Sequence, residues 1–393
     1  MSDSTHESDS TPETDPIAPT ALARAIDAGD PVQVLDVRDR DEIATWAIEG
    51  LSVEREHVPY ARFLQAEVTG GVADLAADLD LDEPITVVCG RGEASDHVAD
   101  LLAETGVAAR NLAEGMAGWA GVYRANEIEV EGPATIVQYR RPSSGCLAYL
   151  VHAGGEAAVI DPLRAFVDRY VEGATDRGVE LRYAIDTHLH ADHVSGVRRL
   201  AAETGAEPIM SEPAAARGVD GVTTVADGET LELGDTVIEA IAAPGHTSGA
   251  FAFRVDDALL TGDSLFLDGV PRPDLEADAD GAGDLANTLH DTLTGRFDAL
   301  DDDLLVAPGH HGPSERLPAD SPYTARLGDL RERLSAFSME RDTFVERVLD
   351  GMGPRPANHE RIVAINRGRE NTDDETAFEL ELGPNNCATA PAE

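Results

Sequence analysis

Residues 187–196, THLHADHVSG, place His188, His190, Asp192 and His193 within six positions. Imidazole and carboxylate donors suit zinc, iron or manganese rather than a soft thiolate site. His188 and His190 are two residues apart, so at the end of an extended strand they point the same way. The following HADHVSG is expected to bend into a helix whose first turn brings Asp192 and His193 to the same cavity. Three later stretches carry matching groups: APGHTSG with His246, LLTGDS with Asp263 and VAPGHHG with His310. Each sits where a strand gives way to a loop, the usual arrangement for functional groups carried by a sheet scaffold.

With 393 residues and 42% hydrophobic content, the chain has room for two domains with sizeable cores. Residues 1–16 read as a disordered acidic tail. Over 17–125, short apolar strands (VQVLDV, ITVVC) alternate with helical stretches such as ASDHVADLLAETG. That alternation predicts an α/β unit with a parallel sheet covered on both faces. Residues 126–133 read as a linker with a Gly-Pro break. A second unit is expected over 134–380, with a Gly-Gly turn in CLAYLVHAGGEAAVIDP and outer helices over 322–351. Residues 381–393 read as a loose terminus.

Acidic residues number 75 against 30 basic ones, a net charge of -45, and every basic residue is arginine. Such a surface repels nucleic acid and anionic membranes, which excludes both as partners. It also repels itself, unless molar salt shortens the Debye length to about 3 Å. The composition therefore points to the cytoplasm of an extreme halophile. No apolar run reaches the ~20 residues that span a bilayer, and the N-terminus has no apolar signal core; a cytoplasmic location is expected. Cys89, Cys146 and Cys387 are far apart in sequence, which argues against a disulfide framework. Cys146 lies in a predicted strand as a buried thiol, and Cys387 carries no assigned role. A homodimer is compatible with the sequence.

The succession His-x-His-x-Asp-His, PGHTSG, TGDSLF and PGH resembles the metallo-β-lactamase superfold over roughly residues 134–315. The resemblance implies an αββα sandwich with metals at one edge. Two chemistries are open within it. A persulfide dioxygenase would use one ferrous iron on His188, His246 and Asp263, with O2 and a small thiol persulfide as substrates. His190, Asp192, His193 and His310 would then orient the ligands, with Asp192 in a catalytic role. A glyoxalase II-type thioester hydrolase would use all seven residues for two zinc ions. GDSLFLDGVPRPDL, GCLAYLV and PRPANHERIVAIN are closer to the dioxygenase pattern. In that branch Arg272, followed by Asp274, is expected to grip a substrate carboxylate. The identity of the thiol stays open, because HGPS after His310 lacks the tyrosine of the animal members.

LDVRDRDE, VVCGRGEAS and NLAEGMAGWA resemble a rhodanese domain over about residues 17–125. The resemblance implies that Cys89 carries a persulfide sulfur cradled by loop N–H groups, with Arg91 near the substrate. Ala94 stands where thiosulfate sulfurtransferases carry arginine, so a persulfide relay and a docking module both remain open. A sulfur carrier beside a persulfide oxidase is coherent chemistry, whereas thioester hydrolysis has no evident use for one.

Overall fold

The computed structural model describes residues 15–276, 279–311, 321–383 and 387–388. Nearly all of the expected acidic tail and the last five residues lie outside that set. The chain divides after Val122 into two compact units.

The first unit is built on four parallel strands in the order Val53–His57, Val32–Asp36, Ile85–Val88, Ala109–Asn111. Alternate residues of a strand face opposite sides. Leu35 and Val87 accordingly pack with Phe63, Val98 and Leu102 on one face. Val32, Val34 and Val88 pack with Leu22, Met116 and Trp119 on the other. Each such side chain contributes about 1.5–3 kcal/mol by leaving water. Both faces are covered, as the alternation of strands and helices predicts.

The second unit is a sandwich of two sheets. One runs Thr223–Val225, Glu207–Ser211, Glu180–Ile185, Glu156–Ile160, Leu147–Ala153, Thr135–Arg140, Arg124–Ile128. The other runs Thr230–Leu233, Thr236–Ala242, Phe251–Val255, Ala258–Gly262, Leu305–Pro308, Ala325–Arg326. Within each sheet a parallel pair matters most: Glu156–Ile160 beside Glu180–Ile185, and Ala258–Gly262 beside Leu305–Pro308. Parallel neighbours release their C-terminal ends at the same edge. Asp161, His188, Asp263 and His310 follow those four strands, so topology alone gathers them. The turn at Gly154 and Gly155 (φ 54° and 88°) joins Leu147–Ala153 to Glu156–Ile160, as the sequence predicts.

Three expectations are corrected. Arg124–Ile128, partly assigned to a linker, is an edge strand paired antiparallel with Thr135–Arg140. Its exposed polar positions suit a sheet edge, and they also resemble a linker in sequence. Asp192 and His193 do not lie on a helical turn, because the helix begins only at Val197. The amides of the intervening residues are taken by other partners: Val194 N–H by Glu381 Oε1 (2.9 Å), Ser195 N–H by Asn366 Oδ1 (2.9 Å) and Gly196 N–H by Pro162 O (2.6 Å). Finally, the C-terminal stretch is not loose throughout. Glu381 is buried in an ion pair with Arg141 (2.8 Å), and Cys387 is fully buried.

Candidate metal centre

The strand ends are brought together by glycines packed too closely to carry a side chain without a shift of their neighbours. Gly262 has φ 48°, and a Cβ there would lie 2.4 Å from Thr187 Oγ1. A Cβ on Gly309 would lie 2.5 Å from Asp263 Oδ1. The Gly-Asp and Gly-His pairs of the sequence are thus steric requirements of the site.

Hydrogen bonds set the tautomers of two histidines. Thr187 Oγ1 donates its one proton to Asp161 Oδ2 (2.8 Å), so it accepts from His188 Nδ1–H (2.9 Å). His246 Nδ1–H donates to the Arg272 carbonyl (2.7 Å). In both rings Nε2 is left as a lone pair facing the cavity. Asp263 Oδ2 lies 3.9 Å from His188 Nε2 and 3.8 Å from His246 Nε2. Among the described residues these three form one buried set of ligand atoms, all within 4.8 Å of one another. His188 Nε2 and Asp263 Oδ2 are buried with no hydrogen-bond partner among the described residues. Unsatisfied buried acceptors are costly, and a cation among them would satisfy them all. The residues therefore fit a bound metal.

The other histidines differ in protonation. Burial holds His188 well below the usual imidazole range, and it also lowers His246. Burial and the His193 ring push His190 down as well, but Asp161 and Asp186 outweigh them and raise it to about 9. At His193 burial is outweighed by Asp192, and at His310 by Asp263 and Asp192, so both rings are held well above the usual range. His310 sits between two carboxylates, with Nδ1 2.6 Å from Asp263 Oδ1 and Nε2 2.9 Å from Asp192 Oδ2. Burial opposes the ionisation of Asp192 and Asp263, but His193 and His310 at Asp192, and His310 at Asp263, hold both below the usual carboxylate range.

Several groups at the site were not singled out in the sequence. Asp161 holds Thr187 and His190 (His190 Nε2 to Asp161 Oδ1, 3.0 Å). Asn366, from the helix His359–Asn366, donates to the carbonyls of His190 (3.0 Å) and His193 (2.9 Å) while accepting from Ser195. Cys146 is more than a packed thiol: its Sγ lies 3.4 Å from Asp192 Oδ2. Burial and Asp192 push that thiol up, but His310 and hydrogen bonding with His193 bring it below its ordinary value. Cys387 is also at the site, where burial and the nearby carboxylates keep its thiol well above its ordinary value. Cys146 and Asn366 lie within GCLAYLV and PRPANHERIVAIN, but nothing in those stretches singles them out, and Asp161 and Cys387 belong to none of the stretches that carry the resemblance; the fold brings them to the site.

Arg272, expected to grip a substrate carboxylate, has its guanidinium committed within the protein. It is 2% exposed, and its guanidinium bonds Asp274 (2.6 and 3.0 Å), Pro354 O (2.7 Å) and Gly353 O (2.9 Å). Asp274 in turn accepts from Arg355 (3.0 Å). The pair is a structural knot whose backbone orients His246.

In the first unit Cys89 ends the strand Ile85–Val88, and its loop leads directly into the helix Glu93–Glu104. Its Sγ accepts from Gly92 N–H (3.1 Å) and lies 3.1 Å from Ser95 Oγ, which is itself 2.6 Å from Asn111 Oδ1. The loop folds tightly against Gly115 (φ 56°), where a Cβ would lie 2.3 Å from Cys89 O. Arg91 is exposed on this loop.

Residues 142–310 match the Metallo-beta-lactamase superfamily and residues 18–121 the Rhodanese-like domain. The chain is 30% identical over 187 residues to the human mitochondrial persulfide dioxygenase ETHE1, covering 46% of this chain and 70% of that protein. It is 34% identical over 175 residues to hydroxyacylglutathione hydrolase from Anaeromyxobacter dehalogenans, covering 44% of this chain and 65% of the other. Among solved structures it is similar to ETHE1 from Myxococcus xanthus, with TM-score 0.52, 26% identity, and 60% of this chain and 98% of that one covered. A metallo-beta-lactamase from Staphylococcus aureus subsp. aureus COL shares the fold, with TM-score 0.56, 24% identity, and 61% and 74% coverage. The chain therefore belongs to the metallo-β-lactamase superfamily, homologous there to ETHE1 persulfide dioxygenase and to glyoxalase II, and joins that domain to a rhodanese-like one.

Proposed function

We propose that this chain oxidises the persulfide of a low-molecular-weight thiol to sulfite and thiol at one ferrous iron held by His188, His246 and Asp263. Cys89 of the rhodanese-like unit supplies or handles the sulfur. The supporting observation is geometric: with their Nδ1–H groups committed to Thr187 Oγ1 and the Arg272 carbonyl, His188 and His246 turn Nε2 toward Asp263 Oδ2, at 3.9 and 3.8 Å, in one buried set of ligand atoms. Two imidazoles and one carboxylate are the donor set of non-haem ferrous centres. A ferrous ion there supplies open positions at which a sulfur ligand and O2 can meet. The balanced reaction is RSSH + O2 + H2O to RSH, sulfite and two protons.

The chain's own groups have clear parts in this. Asp161, through Thr187, keeps His188 in the tautomer that offers Nε2. The Arg272 carbonyl does the same for His246. Asp192 and Asp263 hold a proton on His310, at hand for the thiolate that departs. Outer partners of this kind commonly change metal affinity or activity by about 10–100-fold when removed.

A second reading has its own support. Asp192 Oδ1 and His193 Nε2, atoms a second metal would use, and His190 Nδ1, which would join His188 and His246 on the first, are also buried without partners among the described residues. Two zinc ions and thioester hydrolysis would follow. Metal analysis of freshly purified protein, with O2 uptake on glutathione persulfide, separates the two. Iron near one per chain with persulfide-dependent O2 uptake is expected. Two zincs, with thioester cleavage and no O2 uptake, would overturn the proposal.

A further inference from the structure

Arg198, Arg217, Arg367 and Arg369 are carried by segments packed on the metal-binding loops. Arg198 fastens those segments to each other: it donates to Asn366 O (2.8 Å) and, at 3.4 Å, to Ile365 O and Asp220 O. Its Nη2 would lie 3.3 Å from a Cβ on Gly368, and Arg369 Nη2 would lie 3.0 Å from one on Gly218. Val363, Ala214 and Val219 pack in one cluster with Leu189, the residue between His188 and His190. On the side of His246, a Cβ on Gly249 would lie 2.5 Å from Ala214 N, and Ser211 Oγ donates to Gly249 O (2.6 Å). The arginines thus stand beside both the His188–His193 loop and the His246 loop.

Their guanidinium groups are short of partners, although the chain has 75 acidic residues against 30 basic ones. Among the described residues Glu276 is the only carboxylate ion-paired with any of the four. Both of its oxygens already accept from Ser248, N–H to Oε2 (2.7 Å) and O–H to Oε1 (2.6 Å). Arg217 Nη1 lies 3.0 Å from Glu276 Oε2, yet it is buried without a hydrogen bond. Arg367 Nε is buried without one as well. Arg369 has no side-chain hydrogen bond or ion pair among the described residues. Burial lowers the pKa of Arg217; Glu276 opposes that shift and the charge of Arg367 adds to it. Unpaired buried donors are costly and like charges repel, so an anion among them would relieve both.

We propose that Arg217, Arg367 and Arg369 form an anion subsite that holds a carboxylate of the thiol whose persulfide is oxidised. The inference deepens the function proposed above and rests on it. A guanidinium fork offers a carboxylate two parallel hydrogen bonds. This is the part that the sequence suggests for Arg272, whose own fork is occupied by Asp274. An acidic thiol is gripped at its carboxylate while its sulfur reaches the metal loops, and a neutral thiol lacks that grip. On a chain of net charge -45 a cluster of unpaired arginines also gives an anionic substrate a place to approach without repulsion.

Titration calorimetry with S-methylglutathione tests this without persulfide, turnover or O2. Its failure is therefore distinct from failure of the dioxygenase reading, which metal analysis and O2 uptake decide. The probe carries two carboxylates and a blocked sulfur, and its diethyl ester carries no carboxylate. The unaltered chain should bind the acid at least about tenfold more tightly than the ester, the worth of one charged hydrogen-bonded contact. Arg367→Gln and Arg369→Gln should each weaken the acid by about tenfold and leave the ester unchanged. Neither variant removes a described side-chain hydrogen bond, so the fold is not at stake. Equal binding of acid and ester, no binding of the acid, or undiminished binding of the acid in both variants would overturn the proposal. Inorganic sulfate that binds as tightly as the acid would overturn it too, by making the cluster a site for any small anion.

Discussion

Asn366 lies some 170 residues from the metal-binding loop in sequence, yet all three of its described side-chain hydrogen bonds go to that loop's backbone. It donates to His190 O and His193 O at 3.0 and 2.9 Å, and accepts from Ser195 N–H at 2.9 Å. Asn366→Asp keeps the shape and the acceptor but turns the two donors into an oxygen facing two carbonyl oxygens. Each lost bond is worth about 1 kcal/mol net, and each stranded carbonyl adds to that. A loss of about 3 kcal/mol is therefore expected. The loop carries His188, so part of the loss should appear as weaker metal binding; a full 3 kcal/mol would be roughly 100-fold. Competition against a chromophoric chelator measures the affinity, and urea unfolding of the metal-free protein measures the stability. Asn366→Asp should weaken metal binding by at least about tenfold. Unchanged affinity alongside lowered stability would refute the reasoning and make Asn366 a packing residue only.

Breaking one side of the buried Arg272–Asp274 pair by Arg272→Gln should cost about 3–5 kcal/mol in urea unfolding. A raised KM at unchanged stability would return Arg272 to substrate binding. His188, His246 and Asp263 have folded pKa values below their ordinary ones, so near pH 7 the imidazoles are neutral and the carboxylate is ionised. Competence for metal is then complete above the ordinary imidazole value of about 6.5 and is lost only as pH falls through the lowered values. Calorimetry in two buffers should find almost no proton release from these three groups for the first equivalent of metal, and release of two protons from them would contradict the assignment. Cys89→Ser should abolish sulfur transfer by the rhodanese-like unit. Ser95→Ala should slow it roughly tenfold through loss of a hydrogen bond to the sulfur; equal rates would dismiss the cradle. With a net charge of -45 carried without lysine, the urea midpoint should rise with KCl, and a falling midpoint would dismiss adaptation to molar salt.

What was legible in the sequence had local causes. The His and Asp cluster could be read because ligand chemistry restricts residue type, and because Gly262 and Gly309 must be glycine where strand ends crowd together. The Cys89 loop is legible for the same reason, through Gly92 (φ 104°) and Gly115. The rest depends on partners distant in sequence. Arg272 reads as a free guanidinium until Gly353 and Pro354 arrive to occupy it. The loop after His193 reads as a helix start until Glu381 and Asn366 take its amides. Cys387 sits in a run of polar and small residues that gives no hint of burial, because its place is set by a backbone bridge rather than by its own side chain.

That same dependence on distant partners bears on the order of events as the chain is made. The amide of Val194 is held by Glu381, 187 residues later, and the carbonyl of His193 by Asn366, 173 residues later. The rhodanese-like unit, by contrast, finds the described partners of its sheet and its cysteine within the first 122 residues. Domains emerging from the ribosome fold as units, the N-terminal one first. The Cys89 loop thus has its described partners while the ligand loop still lacks its fasteners. On that order a metal would be the last component accepted, and a nascent chain stalled before Asn366 should hold none.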